Sequence, residues 1–215
     1  GNTLIITVCA VFGIVMSSTM CGYVLNRKEK SKITKIIFLV ILSGMMFPYQ
    51  MAVLGLYKLV RSLDLMNTLT AVIFIDIAIN IPFATFLMKN SISSVPIELE
   101  EAARIDGAGP VKTFTAITLP YMLFVTTPQL ITQFVGNINN FNVIYLLSNG
   151  NPTTEKFYQA GQTDILVTWL FKLTMNSQDY GLAAAIGILV FVICATLSLI
   201  VYNNSKSMKD EEAFS

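Results

Sequence analysis

The sequence predicts an all-α fold, a polytopic transmembrane helical bundle with about five spans in this chain. Three observations carry that prediction. Of 215 residues, 54% are hydrophobic and only 13% are charged, against about 25% charged in soluble domains. The deficit is concentrated: residues 1–26, 36–57, 113–154 and 180–205 carry no charge, and 65–88 carry Asp76 alone. The apolar runs are also continuous rather than alternating, which suits helices of about 20 residues and opposes barrel strands.

The first span is expected at 3–25. It lacks a basic leader and starts without Met, so it reads as a mature span or the cut edge of a longer chain, not a cleaved signal. The connection "NRKEKSKITK" at 26–35 leads to a second span at 35–57, then a third at 67–89. A charged connection follows at 90–112, then a fourth span at 113–136. The segment 137–179 is long and mixed, with turn signals at Asn149-Gly150 and Asn151-Pro152. Within it, "TDILVTWLFKLT" at 163–174 is too short to span and, with Trp169, reads as an interfacial helix. A fifth span at 180–203 closes the set, giving a single transmembrane domain over 1–215.

Orientation follows from lysine and arginine. Arg27, Lys28, Lys30, Lys32, Lys35, Lys89, Arg104, Lys112, Lys206 and Lys209 fall on one side of five spans, and Lys58, Arg61, Lys156 and Lys172 on the other. The N-terminus is therefore expected outside and the C-terminus in the cytoplasm. An odd number of spans with an outside start predicts at least one further span upstream.

Several function classes are excluded. A net charge of +1 gives no field for nucleic acid. There is no histidine, and Cys9, Cys21 and Cys194 lie in apolar stretches, where buried small hydrophobes are the plain reading. No catalytic constellation, metal site or cofactor is expected. "GAGPVKT" at 107–113 is not a nucleotide-binding loop, because Val111 precedes Lys112 where glycine is required.

The 90–112 connection has internal order. Ser93 and Ser94 offer caps, Pro96 suits a first turn, and Glu98, Glu100 and Glu101 suit a positive N-terminal end. Gly107 suits a C-terminal cap, so a short helix of about 96–106 is expected. At roughly 100° per residue, Glu100, Glu101 and Arg104 fall on one side and Leu99, Ala102 and Ala103 on the other. Glu100 and Arg104 are spaced to pair. A solvated linker between two spans is the bland alternative.

"EAARIDGAGPVKTFTAITLP" matches E-A-A-x3-G-x9-I-x-L-P at Glu101, Ala102, Ala103, Gly107, Ile117, Leu119 and Pro120. This resembles the signature of the membrane subunits of binding-protein-dependent ABC importers. The resemblance implies that the short helix is a cytoplasmic coupling helix, docked on an ATPase subunit, with Glu101 and Gly107 at the contact. It also implies these partners: a second permease subunit, two ATP-binding cassette ATPases, an extracytoplasmic sugar-binding protein and membrane lipid. The implied location is the bacterial cytoplasmic (inner) membrane, with ATP hydrolysed by the partner rather than by this chain. "GNTLIITV" is similar to the opening of the family's shared region. "GMMFPYQMAVLGLYKLVRSLDLMNT" at 44–68 resembles the second permease subunit type of sugar importers. "FVGNINNFNVIYLLSNGNP", "AGQTDILVTWLF", "DYGLAAAIGILVF" and "MKDEEAF" resemble the first type, of maltose and maltodextrin importers. The subunit type stays open.

The candidate substrate is an uncharged oligosaccharide. Asn137, Asn139, Asn140 and Asn142 cluster with Phe141 and Tyr145. Amides donate to and accept from hydroxyls, and aromatic rings stack on the C–H face of a sugar. The alternative is that these residues cap a helix end and line a polar loop. The resemblance implies sugar contacts at Asn137 and Asn140, and at Asp76, Asn80 and Phe83. Asp76 departs from the asparagine expected at its place and Asn80 from a glycine. A mid-span acid costs about 2.5–3.5 kcal/mol to insert, so Asp76 should face a cavity or a partner. It also supports a competing reading, an ion-coupled secondary transporter. Pro48 and Pro128 sit in expected spans and can kink them. Gly181 with Ala185, and Ala183 with Gly187, give small-residue spacing for close helix contact.

Overall fold

The computed structural model describes residues 1–153 and 158–204, with the side chains of Val125, Pro128 and Asn204 not described. Lys156, Lys206, Lys209, "MKDEEAF" and the side chain of Pro128 thus lie outside what is described. Among the described residues the chain is helical, with one isolated bridge between Thr153 and Gly161 and no strand.

Three helices are long and apolar enough to cross a membrane unbroken: α1 (Asn2–Arg27), α4 (Leu69–Ser93) and α10 (Tyr180–Asn204). The expected second span is broken at Phe47-Pro48 into α2 (Lys32–Ser43), a 3-10 turn (Gly44–Met46) and α3 (Tyr49–Ser62). Pro48 has no N–H to donate to a continuing helix, and its φ of −59° and ψ of 134° start α3 afresh. The expected fourth span starts earlier than residue 113. It opens as α6 (Pro110–Thr113), passes through a π-helical turn (Phe114–Thr118) and continues as α7 (Leu119–Ile138). Counting the pair Lys32–Met46 with Tyr49–Ser62, and the pair Pro110–Phe124 with Gln129–Leu147, each as one broken span gives up to five. The charged connection holds α5 (Ile97–Ile105), and the mixed segment holds α8 (Phe141–Leu147) and α9 (Leu166–Met175).

The chain parts into two compact units. The first is built from Gly1–Gly13, Phe47–Ile79 and Ile131–Val201. Ile6, Val72, Ile75, Ile144 and Ile165 form one of its cores, and Ile138, Leu173, Ala183, Ile186 and Val190 a second, where α9 packs on α10. Ala183 and Gly187 face this contact, Gly187 lying against Leu170, whereas Gly181 and Ala185 are exposed. Thr68 caps α4 by accepting the Ala71 N–H at 3.2 Å.

The second unit is built mainly from Ile14–Met46 and Asn80–Leu130. Met88, Ile92, Val95 and Met122 form its core, with Tyr23 and Leu130 against it. α1 approaches α4 closely at Gly22, where a Cβ would stand 2.9 Å from the Lys89 amide nitrogen. In both units the outward surface of the long helices is apolar: Leu4, Phe12 and Met20 on α1, and Ile188, Phe191 and Leu199 on α10 are exposed. Such surface suits lipid or neighbouring helices rather than water.

Candidate functional site

The short helix of the charged connection forms where its caps predict. α5 ends in a residue of positive φ, Gly107 at +83°. The Ala108 N–H donates to the Ala103 carbonyl at 2.8 Å and the Gly107 N–H to the Arg104 carbonyl at 3.1 Å, which is a Schellman stop. The N-terminal end differs from expectation. Pro96 occupies the cap position with no side-chain cap bond. Ser93 and Ser94 turn back to close α4, donating to the Lys89 and Ser91 carbonyls at 3.2 and 2.6 Å.

The faces of α5 also differ from the helical-wheel reading. Glu100 is not part of a solvated charged side: it is 2% exposed and forms the buried face. Its Oε1 accepts from Arg27 Nη2 at 2.7 Å, Arg27 Nε at 3.2 Å and Thr118 Oγ1 at 2.8 Å. Its Oε2 accepts from the Tyr23 hydroxyl at 3.0 Å. Four donors thus converge on the carboxylate, three on Oε1 and one on Oε2. Burial pushes the Glu100 carboxyl up, but the hydrogen bonds from Arg27, Thr118 and Tyr23 and the Arg27 charge outweigh it and hold the pKa below the usual range. Arg27, not Arg104, is the partner of Glu100, and Arg104 is exposed.

With Glu100 turned inward, the outward face carries Ile97, Leu99, Glu101, Ala102 and Ile105, the last 86% exposed. Of the other signature residues, Gly107 and Pro120 are exposed, and Ala103, Ile117 and Leu119 are half-buried. Glu101 thus faces out and its neighbour Glu100 faces in.

The candidate sugar residues are divided between the units. Asp76, Asn137, Asn140 and Tyr145 belong to the first, Asn80 and Phe83 to the second. Asp76 is 1% exposed, and the Asn140 side-chain amide donates to its Oδ1 at 2.7 Å, joining α4 to the start of α8. Asn137 is also buried: its Nδ2 donates to the Gln133 carbonyl of its own helix at 2.9 Å. Its Oδ1 is buried with no hydrogen-bond donor among the described residues. Tyr145 is exposed and stacks on Phe141 at 4.8 Å between ring centres, with Phe171 edge-on to both. Asn139 and Asn142 are exposed, as is Phe83, and Asn80 is half-buried.

One charged centre was missed in the sequence. Lys172 donates to Asp164 Oδ2 at 2.8 Å, both side chains being almost wholly buried, and the Gly161 N–H donates to the same oxygen at 2.7 Å. Around it Ser148 and Thr163 share a hydrogen bond of 2.9 Å, and Thr163 donates to the Asn151 carbonyl at 2.8 Å. Gly150 has a φ of +73°, and a Cβ on it would run into the Asp164 carboxyl and Lys172 Nζ, while a Cβ on Gly161 would run into the Gly150 carbonyl. The available signal was Lys172 itself, a single base within an apolar stretch. A cavity of about 610 Å³ beside this knot is lined by Asn149, Asn151, Thr153, Tyr158, Gln159, Lys172 and Asn176.

The comparisons agree with this architecture. The maltodextrin transport system permease protein MdxF of Bacillus subtilis (strain 168) is 40% identical over 146 residues, 67% of this chain and 33% of that protein. The galactooligosaccharides transport system permease protein GanP of the same organism is 43% identical over 130 residues, 60% of this chain and 31% of that one. The chain thus spans about a third of the length of these curated relatives. The fold is similar to that of a bacterial alginate ABC transporter solved in complex with an alginate pentasaccharide-bound periplasmic protein. That likeness has a TM-score of 0.75 at 18% identity and covers 97% of this chain and 77% of that one. The profile of the binding-protein-dependent transport system inner membrane components matches residues 11–210, and the chain belongs to that family.

Proposed function

We propose that this chain is a membrane-embedded subunit of an ATP-driven importer of oligosaccharides. It forms the translocation path with a second permease subunit, and an extracytoplasmic binding protein delivers the sugar. Two ATPases dock on the cytoplasmic helices, one of them α5, and ATP binding and hydrolysis shift the assembly between outward- and inward-open states. Hydrolysis belongs to those partners.

The observation that carries this reading is the presentation of α5. The signature segment is a capped helix held from behind by Glu100, which leaves Glu101, Ala102 and Ile105 outward for a partner. An exposed isoleucine beside an alanine and a carboxylate suits an apolar cleft with a basic rim. The orientation follows the positive-inside count, with the N-terminus outside and the C-terminus in the cytoplasm. For the sugar, the relatives named for maltodextrin and galactooligosaccharides support a neutral oligosaccharide. Asn137, Asn140, Tyr145, Asp76, Asn80 and Phe83 are the proposed contacts. Among them, Asn137 is best placed to gain by binding, because its buried carbonyl oxygen accepts no bond from the described residues.

The decisive experiment is reconstitution with candidate ATPase, second-permease and binding-protein partners, reading ATP turnover against a panel of oligosaccharides. Glu101→Lys is expected to reduce recovery of the ATPase with this chain, and unchanged recovery overturns the docking role. Uptake that ends when an uncoupler is added, yet survives deletion of the ATPase, would instead establish the ion-coupled reading through Asp76.

A further inference from the structure

We infer that Glu100 is a positioning residue that locks α5 to α1, so that displacement of α5 by a partner is delivered to α1 as a rigid-body movement. The inference rests on the reading of α5 as the ATPase-facing helix. Three segments distant in sequence meet on one carboxylate: Tyr23 and Arg27 from the last turns of α1, Glu100 from α5, and Thr118 from the π-helical turn entering α7.

Three features separate this cluster from ordinary loop anchoring. First, the carboxylate is turned wholly inward. Oε1 takes three donors and Oε2 one, all from within the chain, and at 2% exposure Glu100 is out of a partner's reach. Its neighbour Glu101 is exposed, so adjacent acids have divided the outward and inward tasks. Second, the Arg27 pair is bidentate on one oxygen and largely buried, with side chains 17% and 3% exposed. A planar guanidinium held at two nitrogens resists rotation as well as separation. Third, the cluster is braced on both sides. The Tyr23 ring packs edge-on against Phe114 at 5.1 Å, and Asn26 donates to the Lys89 carbonyl and the Ser93 hydroxyl at 3.1 and 2.8 Å.

A buried ionic network that breaks leaves uncompensated charge, so it moves intact or not at all. α5 has nine residues and buries little else: Ile97, Leu99 and Ile105 face outward. Apolar packing alone would let it slide when pushed. α1 is a continuous helix from Arg27 back to Asn2, so a push received at its last turn travels its whole length.

The test uses spin labels on exposed cysteines placed at Lys30 and Asp106, in the assembled transporter with Cys9, Cys21 and Cys194 replaced by alanine. The distance between labels is read with and without ATP. The wild-type background is expected to give one narrow distance that ATP does not shift. Glu100→Gln is expected to broaden the distribution and let it shift with ATP. A wild-type distance that shifts with ATP, or a Glu100→Gln distance as narrow and fixed as wild type, overturns the lock. Should Glu100→Gln fail to assemble, Thr118→Val decides: broadening supports the lock and a wild-type distribution overturns it. Wild-type preparations that recover no ATPase defeat the reading of α5 itself, and the lock falls with it. ATPase recovery with an ATP-dependent wild-type distance defeats the lock alone.

Discussion

Arg27 places two guanidinium nitrogens on Glu100 Oε1, at 3.2 and 2.7 Å, and so joins the end of α1 to the first turns of α5. The acid that the helical wheel assigns to solvent is the one that fixes the helix. Glu101, next along the chain, is then free to face a partner.

That pair sets a pH dependence. The Glu100 carboxyl is held below its usual range, so the folded loop prefers the ionised form. Its contribution is complete above the ordinary glutamate pKa and is lost as pH falls through the depressed folded value. Amide hydrogen-exchange protection of residues 97–107, corrected for intrinsic rate, is expected to decline over that acidic window. Glu100→Gln should flatten the decline. Arg27→Ala removes the charge-assisted bonds while Tyr23 and Thr118 remain, with an expected loss of about 1.5–3 kcal/mol in local protection. Protection that does not depend on pH in wild type would refute the assignment.

Asp76 and Asn140 make the second prediction. Asn140→Ala takes an amide donor from a buried carboxylate and is expected to cost about 1–3 kcal/mol of stability. Asp76→Asn retains an acceptor and replaces a charge by an amide, so it should be milder. Asn137→Ala should leave stability within about 1 kcal/mol, since its donor serves only its own helix. It should nevertheless lower oligosaccharide uptake. Thermal unfolding of the purified chain, read beside uptake, separates the three variants. Equal destabilisation by Asn137→Ala and Asn140→Ala would show that both are structural and remove Asn137 from the proposed site.

The contrast between these sites shows what a sequence displays. The unbroken spans were legible because an apolar run of about 20 residues admits one solution in a bilayer. α5 was legible because its stop is local: Gly107 must reach positive φ, and it does, at +83°. Pro48 was visible as a kink, but hydropathy does not state whether a kink becomes a full break. The role of Glu100 was not legible, since its ion-pair partner lies 73 residues away and its hydroxyl partners are Tyr23 and Thr118. A helical wheel ranks a face by polarity, and here a tertiary partner reversed the ranking. Asp164 and Lys172 escaped for a related reason: eight residues apart, with a non-helical start between them, they match no local pairing rule.

The Asp164–Lys172 pair makes the third prediction. Lys172→Met leaves Asp164 buried without its cation, and a loss of about 3–5 kcal/mol is expected. The double variant Asp164→Asn with Lys172→Met should recover much of that loss, because the remaining amide still has the Gly161 N–H to accept. Denaturation followed through Trp169, whose Nε1 donates to the Tyr158 carbonyl in the same segment, reports it directly. Additive losses in the two single variants and the double would mean that the charges do not stabilise one another.

Membrane orientation is the last prediction, and the role of α5 depends on it. Ser31 is exposed, precedes α2 and lies among Lys28, Lys30 and Lys32, the densest basic run in the chain. Gln162 is exposed in the segment between α8 and α9. With Cys9, Cys21 and Cys194 replaced, an impermeant thiol reagent should label Ser31→Cys in inside-out vesicles and not in intact cells. Gln162→Cys should show the opposite pattern. The charge asymmetry behind this expectation is a property of short basic loops near span ends, and the loop at Ser31 is of that kind. Labelling of Ser31→Cys from outside would place α5 on the same outer face, because the α2–α3 span and α4 each cross once between them. A helix there cannot meet a cytoplasmic ATPase, so that single result would end the importer reading regardless of any sugar measurement.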